Sequence, residues 1–312
     1  MNKLLVIAGP TASGKSSLAS AVAERFDGVV INADSMQVYR GVPILTAQPS
    51  AAEQGRLPHK LYSIFEPANV CSAGIWRSLA AKACEEAWKA GKLPVVVGGT
   101  GLYIRSLIEG LSPIPEIPDA IREAARALFA ELGNERFHAR LAERDPVMAE
   151  RLDPGNSQRL VRAWEVLEAT DRSLADWQAD PREGGLDADS ATIVLTPPRD
   201  ALYANCDRRL EAMLEAGALD EVAALIKLGL DPALPAMKAL GVAEFAAYLR
   251  RELSLDTALA AAQQSTRRYA KRQLTWFRHQ LIPQFRIDEQ LSESFVERIF
   301  VFIRSFLLTG VS

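Results

Sequence analysis

Apolar residues fall into two rhythms along this chain. Lys3 to Ala8 (KLLVIA) is a short unbroken apolar run closed by Gly-Pro, which predicts a buried strand. SSLASAVAERF follows with Leu18, Val22 and Phe26 at helical spacing. Val29 to Asp34 (VVINAD) predicts a second buried strand that ends in a carboxylate. GIWRSLAAKACEEAWKA is helical, with Gly91 as its C-cap, and LPVVVGGTGLY is a third strand running into glycines. Strand alternating with helix predicts an α/β fold with a parallel sheet, helices on both faces.

The rhythm changes near Leu111. LSPIPEIPDAIRE is punctuated by proline, and Asp119 is placed to cap the helix behind it. From there to about Thr170 the pattern is continuously helical, without strand signals. EGGLDADS (Glu183 to Ser190) predicts a loop, and TIVLT (Thr192 to Thr196) a strand of the first kind. The economical reading is a P-loop NTPase-like α/β core, residues 1–112 and 188–312, interrupted by an all-helical insertion at 113–187.

Composition adds little to this picture. A hydrophobic fraction of 48% and a charged fraction of 24% are ordinary for a globular chain. A net charge of −3 carries no general field for nucleic acid. Cys71, Cys84 and Cys206 show no CxxC spacing, so neither a zinc site nor a disulfide framework is expected, and free thiols fit a reducing cytoplasm. His59, His138 and His279 lie far apart, against a metal site. The apolar LLVIA is too short for a signal-peptide core, and no stretch predicts a membrane span. No long coiled seam appears, which favours a monomer without an obligate protein partner.

The chemistry starts at Gly9. Gly9, Pro10, Thr11, Ala12, Ser13, Gly14, Lys15 and Ser16 fit G-x-x-x-x-G-K-[ST] between a predicted strand and a predicted helix. Backbone amides there curl around phosphate oxygens, and the helix N-terminus adds its dipole. Lys15 adds a point charge, and the Ser16 hydroxyl is a ligand for Mg²⁺. No strand supplies the second acid of a phosphate-hydrolysing site, because VVVGGT ends in glycine and threonine. Asp34 is then the main carboxylate beside the loop, as magnesium ligand, general base or simple turn former. Thr100 in GGTGLY either closes a turn or presents a hydroxyl at the carboxyl edge of the sheet.

Two basic stretches stand out. SQRLVRAWEV sets Arg159 and Arg162 on one helical face, with Leu160, Trp164 and Leu167 on another. TRRYAKRQLTWFRHQ carries Arg267, Arg268, Lys271, Arg272 and Arg278 with no acid among them. Such a run fits either a solvated face or a surface for phosphate backbone. Tyr269, Trp276 and Phe277 either pack inward or stack on bases.

Taken together, GPTASGKS, DSMQVYRGVPILTAQPS, LPHKLYS, VVVGGTGLY, NSQRLVRAWEV, MKALGVAEF and RYAKRQLTWFR resemble, in order and over nearly the full length, the tRNA dimethylallyltransferase family. Gln48, Lys60 and Val242 depart from the family's usual lysine, histidine and aromatic residue.

The resemblance implies transfer of a dimethylallyl group from dimethylallyl diphosphate, with Mg²⁺, to N6 of the adenosine 3′ to a tRNA anticodon. The loop would then hold a leaving diphosphate and need not hold ATP. Asp34, within the DSMQ match, would be the base. Lys15, Ser16 and Arg209 would neutralise the diphosphate, with Arg208 as the adjacent alternative. Thr100 would brace the reacting end. Ser35, Met36 and Gln37 would meet the extruded adenine. The insertion would grip the anticodon stem-loop through Arg122, Gln158, Arg159, Leu160, Val161 and Arg162. Lys271, Arg272 and Arg278 would hold RNA phosphate. A small-molecule kinase and a nucleotide-gated RNA-binding protein are the rival readings.

Overall fold

The computed structural model describes residues 2–290 and 292–309. The chain opens with β1 (Lys3–Ala8), α1 (Lys15–Arg25), β2 (Gly28–Asn32), α2 (Ala51–Arg56), β3 (His59–Lys60), α3 (Ala73–Lys89), β4 (Leu93–Gly98) and α4 (Gly101–Glu109). Four helices follow: α5 (Asp119–Arg144), α6 (Pro146–Arg151), α7 (Ser157–Thr170) and α8 (Leu174–Ala179). The rest is β5 (Asp189–Leu195), α9 (Arg199–Glu215), α10 (Ala218–Lys227), α11 (Val242–Leu249), α12 (Leu255–Gln280), β6 (Phe285–Ile287) and α13 (Glu293–Leu308).

Among the described residues the strands form one parallel six-stranded sheet in the order β3-β2-β4-β1-β5-β6. This is the predicted α/β sheet flanked by helices. β1 is central and buried on both faces. Its Leu4, Val6 and Ala8 join one core, with residues of α3, α10, α11 and α12. Its Leu5 and Ile7 join another, with Leu18 and Val22 of α1 and Ile299 and Ile303 of α13. Continuous apolar runs are what two-sided burial demands. Each such Leu or Ile contributes roughly 1.5–3 kcal/mol.

Two compact units divide the chain. One comprises the stretches up to Ile108 and from Leu186 onward; the other is Glu109–Gly185. In the first unit the Leu186 amide donates to the Leu107 carbonyl at 2.8 Å, so the chain leaves and re-enters at one place. In the second, Leu111 and Glu183 pair in an antiparallel bridge. Its helices enclose a core of their own. Phe137 there meets Phe129 at 5.2 Å and Trp164 at 5.5 Å between ring centroids.

Several local expectations shift. β2 stops at Asn32, because the Asn32 side chain captures the Asp34 amide at 2.8 Å and ends the ladder. The helical stretch from Asp119 to Thr170 is three helices, the first of them kinked at Gly133, where φ is 69°. Asp145 caps α6 through the Met148 amide with Pro146 at its first position, and Asn156 caps α7. Asp119 is no cap; it is the first residue of α5, behind Pro118. Its charge there still favours the helix dipole. β3 and β6 have two and three residues, too few to carry a period. No helix among the described residues is long and apolar enough to cross a membrane.

Candidate active site

The loop between β1 and α1 emerges at the carboxyl edge of the sheet, where open α/β folds bind ligands. Its tightness requires glycine. A Cβ on Gly9 would lie 2.9 Å from the Leu195 carbonyl oxygen. Gly14 enters α1 at φ 90°, in the left-handed region. Lys15 is 9% exposed and folds back so that Nζ donates to the Pro10 carbonyl at 3.1 Å. Ser13 Oγ is buried and has no partner. A buried hydroxyl without a partner is costly unless a ligand satisfies it.

Arg209 of α9 completes this cradle by donating to Thr11 Oγ1. Arg208, the adjacent alternative, turns outward to Asn205. Burial lowers the pKa of Lys15 from 10.5 to about 8; Asp34 opposes the fall and Arg209 deepens it. Burial likewise lowers Arg209, again opposed by Asp34. Two cations held together under desolvation are destabilising without an anion between them.

Asp34 is fixed from both sides. The Asn32 side chain accepts the Asp34 amide at 2.8 Å and donates to the Asp34 carbonyl at 3.0 Å. Asp34 Oδ1 accepts the Met36 amide at 2.9 Å, so the carboxylate is a turn former through one oxygen. Oδ2 has no hydrogen bond to the described residues. Thr100 holds the next residue, accepting the Ser35 amide at 2.9 Å and donating to Ser35 Oγ at 3.2 Å. A Cβ on Gly98 would sit 2.1 Å from the Ala33 carbonyl, so glycine alone lets the β4 turn approach this segment. Gln37 is committed to structure, with Nε2 donating to the carbonyls of Thr46 and Ala47 at 2.8 and 2.9 Å.

α12 presents two faces to this region. Tyr269, Gln273 and Trp276 recur at helical spacing on the inner one. Burial, reinforced by Asp34, raises the Tyr269 phenol. Trp276 fills the space over Gly101, where a Cβ would lie 2.2 Å from its ring. Phe277 is fully buried, so of the aromatics in this run it is core. Lys271, Arg272 and Arg278 are exposed, and Arg272 lies 5.6 Å from the Tyr269 ring centre. Arg267 is no part of an open basic face. Both Asp207 carboxylate oxygens accept from it, at 2.6 and 2.8 Å.

A cleft opens beside the loop, lined by Ser16, Ser20, Gln37, Gln48, Glu53, His59 and Tyr62 among others. Of these, Ser20, Glu53 and Tyr62 carried no expectation from the sequence, and His59 stood there only as one of three scattered histidines. Gln48 replaces the expected lysine with a neutral tie: it donates to the Tyr39 carbonyl at 2.9 Å and accepts Ser63 Oγ at 2.6 Å. Lys60 is exposed near Glu86, and Val242 is buried behind Gly241. Among the described residues no group of three His, Cys, Asp or Glu side chains is placed to hold a metal. The residues fit a divalent ion only as phosphate-rich sites do: Ser16 exposed on the cleft, with substrate oxygens and water completing the shell.

The helical unit places its expected residues less uniformly. Gln158 and Arg159 are exposed at the start of α7. Arg162 pairs with Glu165 at 3.3 Å. Arg122 donates to the Ile117 carbonyl at 3.1 Å. Leu160 is fully buried and Val161 packs against the same core, so the Leu160 side chain is packing and only its backbone is left for contact.

Comparison with known proteins agrees with this geometry. The chain is 58% identical over 306 residues to the tRNA dimethylallyltransferase of Paramagnetospirillum magneticum, covering 98% of this chain and 97% of that one. The structure superposes on the full-length tRNA isopentenylpyrophosphate transferase of Bacillus halodurans with TM-score 0.72 at 33% identity, over 98% and 97% of the two chains. A eukaryotic dimethylallyltransferase crystallised acting on tRNA gives TM-score 0.83 at 26% identity, over 98% of this chain and 80% of that chain. The family model described as IPP transferase matches residues 37–280, and the chain belongs to that family.

Proposed function

We propose that the chain transfers a dimethylallyl group from dimethylallyl diphosphate to N6 of the adenosine 3′-adjacent to a tRNA anticodon. The observation that carries this reading is the pairing of an anion cradle with a clasped carboxylate. Lys15 is a buried cation of the loop, Arg209 reaches the loop through Thr11, and the Ser13 hydroxyl there is unpartnered. Asp34, its backbone held by Asn32, keeps Oδ2 available.

The roles follow from charge. The N6 lone pair forms a bond to the allylic carbon as the C–O bond breaks. The electron pair of that bond leaves with the diphosphate, and the N6 proton passes to Asp34. Lys15, Arg209 and the loop amides from Ala12 to Ser16 stabilise the leaving charge. Ser16 would hold Mg²⁺, which supplies further charge neutralisation on the diphosphate. Thr100 and Ser35 fix Asp34 against the acceptor. The adenine leaves its stack to reach this site. Gln158, Arg159 and Arg162 in the insertion and Lys271, Arg272 and Arg278 on α12 hold the RNA. A small-molecule kinase gains no support, because β4 runs into Gly98, Gly99 and Thr100 where a magnesium-holding acid belongs.

Incubation of unmodified tRNA with the protein, dimethylallyl diphosphate and Mg²⁺, followed by mass spectrometry of the nucleosides, tests this. Adenosine carrying one isoprenyl unit is expected. Unmodified adenosine in every substrate tRNA would overturn the reading.

A further inference from the structure

Gln273 is a neutral side chain within a basic run, 5% exposed, and both ends of its amide are committed. Oε1 accepts the Thr11 amide of the phosphate loop at 2.8 Å. Nε2 donates to the Gly99 carbonyl at 2.8 Å. These partners lie 262 and 174 residues away in sequence. Gly99 is tailored to the contact, since a Cβ there would lie 2.2 Å from Gln273 Nε2.

The two bonds join the two halves of the site. Thr11 is the residue whose hydroxyl receives Arg209. Its amide is spent on Gln273, so of the loop's backbone donors this one is not aimed at a phosphate. Gly99 precedes Thr100, which holds the Ser35 amide beside Asp34. One amide group therefore spans the gap between leaving-group cradle and carboxylate.

We propose that Gln273 is a positioning residue that sets the diphosphate loop in register with the Thr100–Asp34 turn. It acts through Thr11 and Gly99 and touches no reacting atom. The inference rests on the reading of the loop as the diphosphate site. Misplacing reacting groups by about 1 Å costs on the order of 10²-fold in rate. Arg272 is the next residue on α12 and lies on its exposed face, so the helix that seats the loop also carries a cation for RNA.

Two variants separate positioning from packing. Gln273→Met keeps the volume and removes both bonds. Gln273→Glu is an isostere when protonated, with its carbonyl accepting from Thr11 and its hydroxyl donating to Gly99. When ionised it faces the Gly99 carbonyl with a second acceptor. The charged and titratable groups sharing this region are Lys15 on α1, Cys206 and Arg209 on α9, Asp34 after β2, and Tyr269 and Arg272 on α12. Each variant is therefore compared with the unaltered protein at every pH below 8. Steady-state turnover is measured together with calorimetric binding of inorganic pyrophosphate, which needs no reaction.

For Gln273→Met, a fall in kcat on the order of 10²-fold is expected at every pH, with pyrophosphate binding weakened and tRNA affinity within about twofold. For Gln273→Glu, both readouts relative to the unaltered protein should fall as pH rises. A Gln273→Glu profile parallel to that of the unaltered protein, or Gln273→Met turnover and pyrophosphate binding within about twofold, would overturn the proposal. If Gln273→Met does not fold, the Gln273→Glu ratio decides alone. If the unaltered protein prenylates no tRNA, the functional reading has failed, and pyrophosphate binding still decides the role of Gln273.

Discussion

Thr100 Oγ1 accepts the Ser35 amide at 2.9 Å, so a side chain of the turn after β4 holds the segment after β2, beside a backbone bond from the Thr100 amide to the Ala33 carbonyl at 3.2 Å. Leaving a half-buried amide without its acceptor costs about 1–3 kcal/mol. Here that cost falls on the residue next to the proposed base. Thr100→Val should lower kcat about 10- to 100-fold. Thr100→Ser, which keeps the hydroxyl, should stay close to the unaltered rate. Steady-state kinetics with saturating tRNA check this, and equal rates for both variants would leave Thr100 as a turn residue only.

Asp34→Asn is a clean replacement because asparagine retains an oxygen for the Met36 amide. The local turn should survive while the proton acceptor is lost. A drop in turnover of about 10²–10⁴-fold is expected, the range for a general base. The tRNA dissociation constant, from filter binding, should hold within about twofold. Loss of tRNA binding would instead assign Asp34 to the fold.

The Lys15 ammonium titrates near pH 8 in the free protein. The protonated form attracts diphosphate, and burial favours its loss. Donor kcat/KM, which reports the free enzyme, should therefore fall as pH rises through about 8. A bound diphosphate raises the same pKa, so kcat should hold to higher pH. A pH profile of both parameters with dimethylallyl diphosphate as the varied substrate tests the sign. Lys15→Arg should abolish the fall, since arginine does not deprotonate in this range.

Arg272 and Arg267 sit on one helix and differ in what they face. Arg272 is exposed, and Arg267 is clasped by Asp207. Arg272→Ala should weaken tRNA binding and reduce the slope of its log–log salt dependence by about one. Arg267→Ala should leave that slope unchanged and cost stability by about 1 kcal/mol or less, as expected for a partly exposed pair. Binding titrations across a salt series distinguish the two.

The strands and the phosphate loop were legible because their signals are local. KLLVIA, the glycines and Lys15 stand in one short stretch, and burial on both faces leaves an apolar run that no other element imitates. Asp34 and Thr100 were found by motif, but the bond from Ser35, next to Asp34, to Thr100 closes a gap of 65 residues and leaves no mark in either segment. Gln273 was less visible still. In sequence it is one polar residue in a basic helix, and only the fold turns it inward. Arg267 erred in the opposite direction, because the acid that pairs with it comes from α9. Leu160 stood within a matched segment, yet helical spacing already set it with Trp164 and Leu167 on the face that the structure buries.

The hydrogen bond from Leu186 to Leu107 makes Glu109–Gly185 a detour. All six strands belong to the sequence outside it. A short turn spliced across those two leucines would leave that sheet whole, with the phosphate loop, Asp34, Thr100, Arg209 and Gln273 all retained. Such a shortened chain would separate the pyrophosphate recognition proposed for the remaining polypeptide from the RNA contacts proposed for the excised helices, with Lys271, Arg272 and Arg278 left in place.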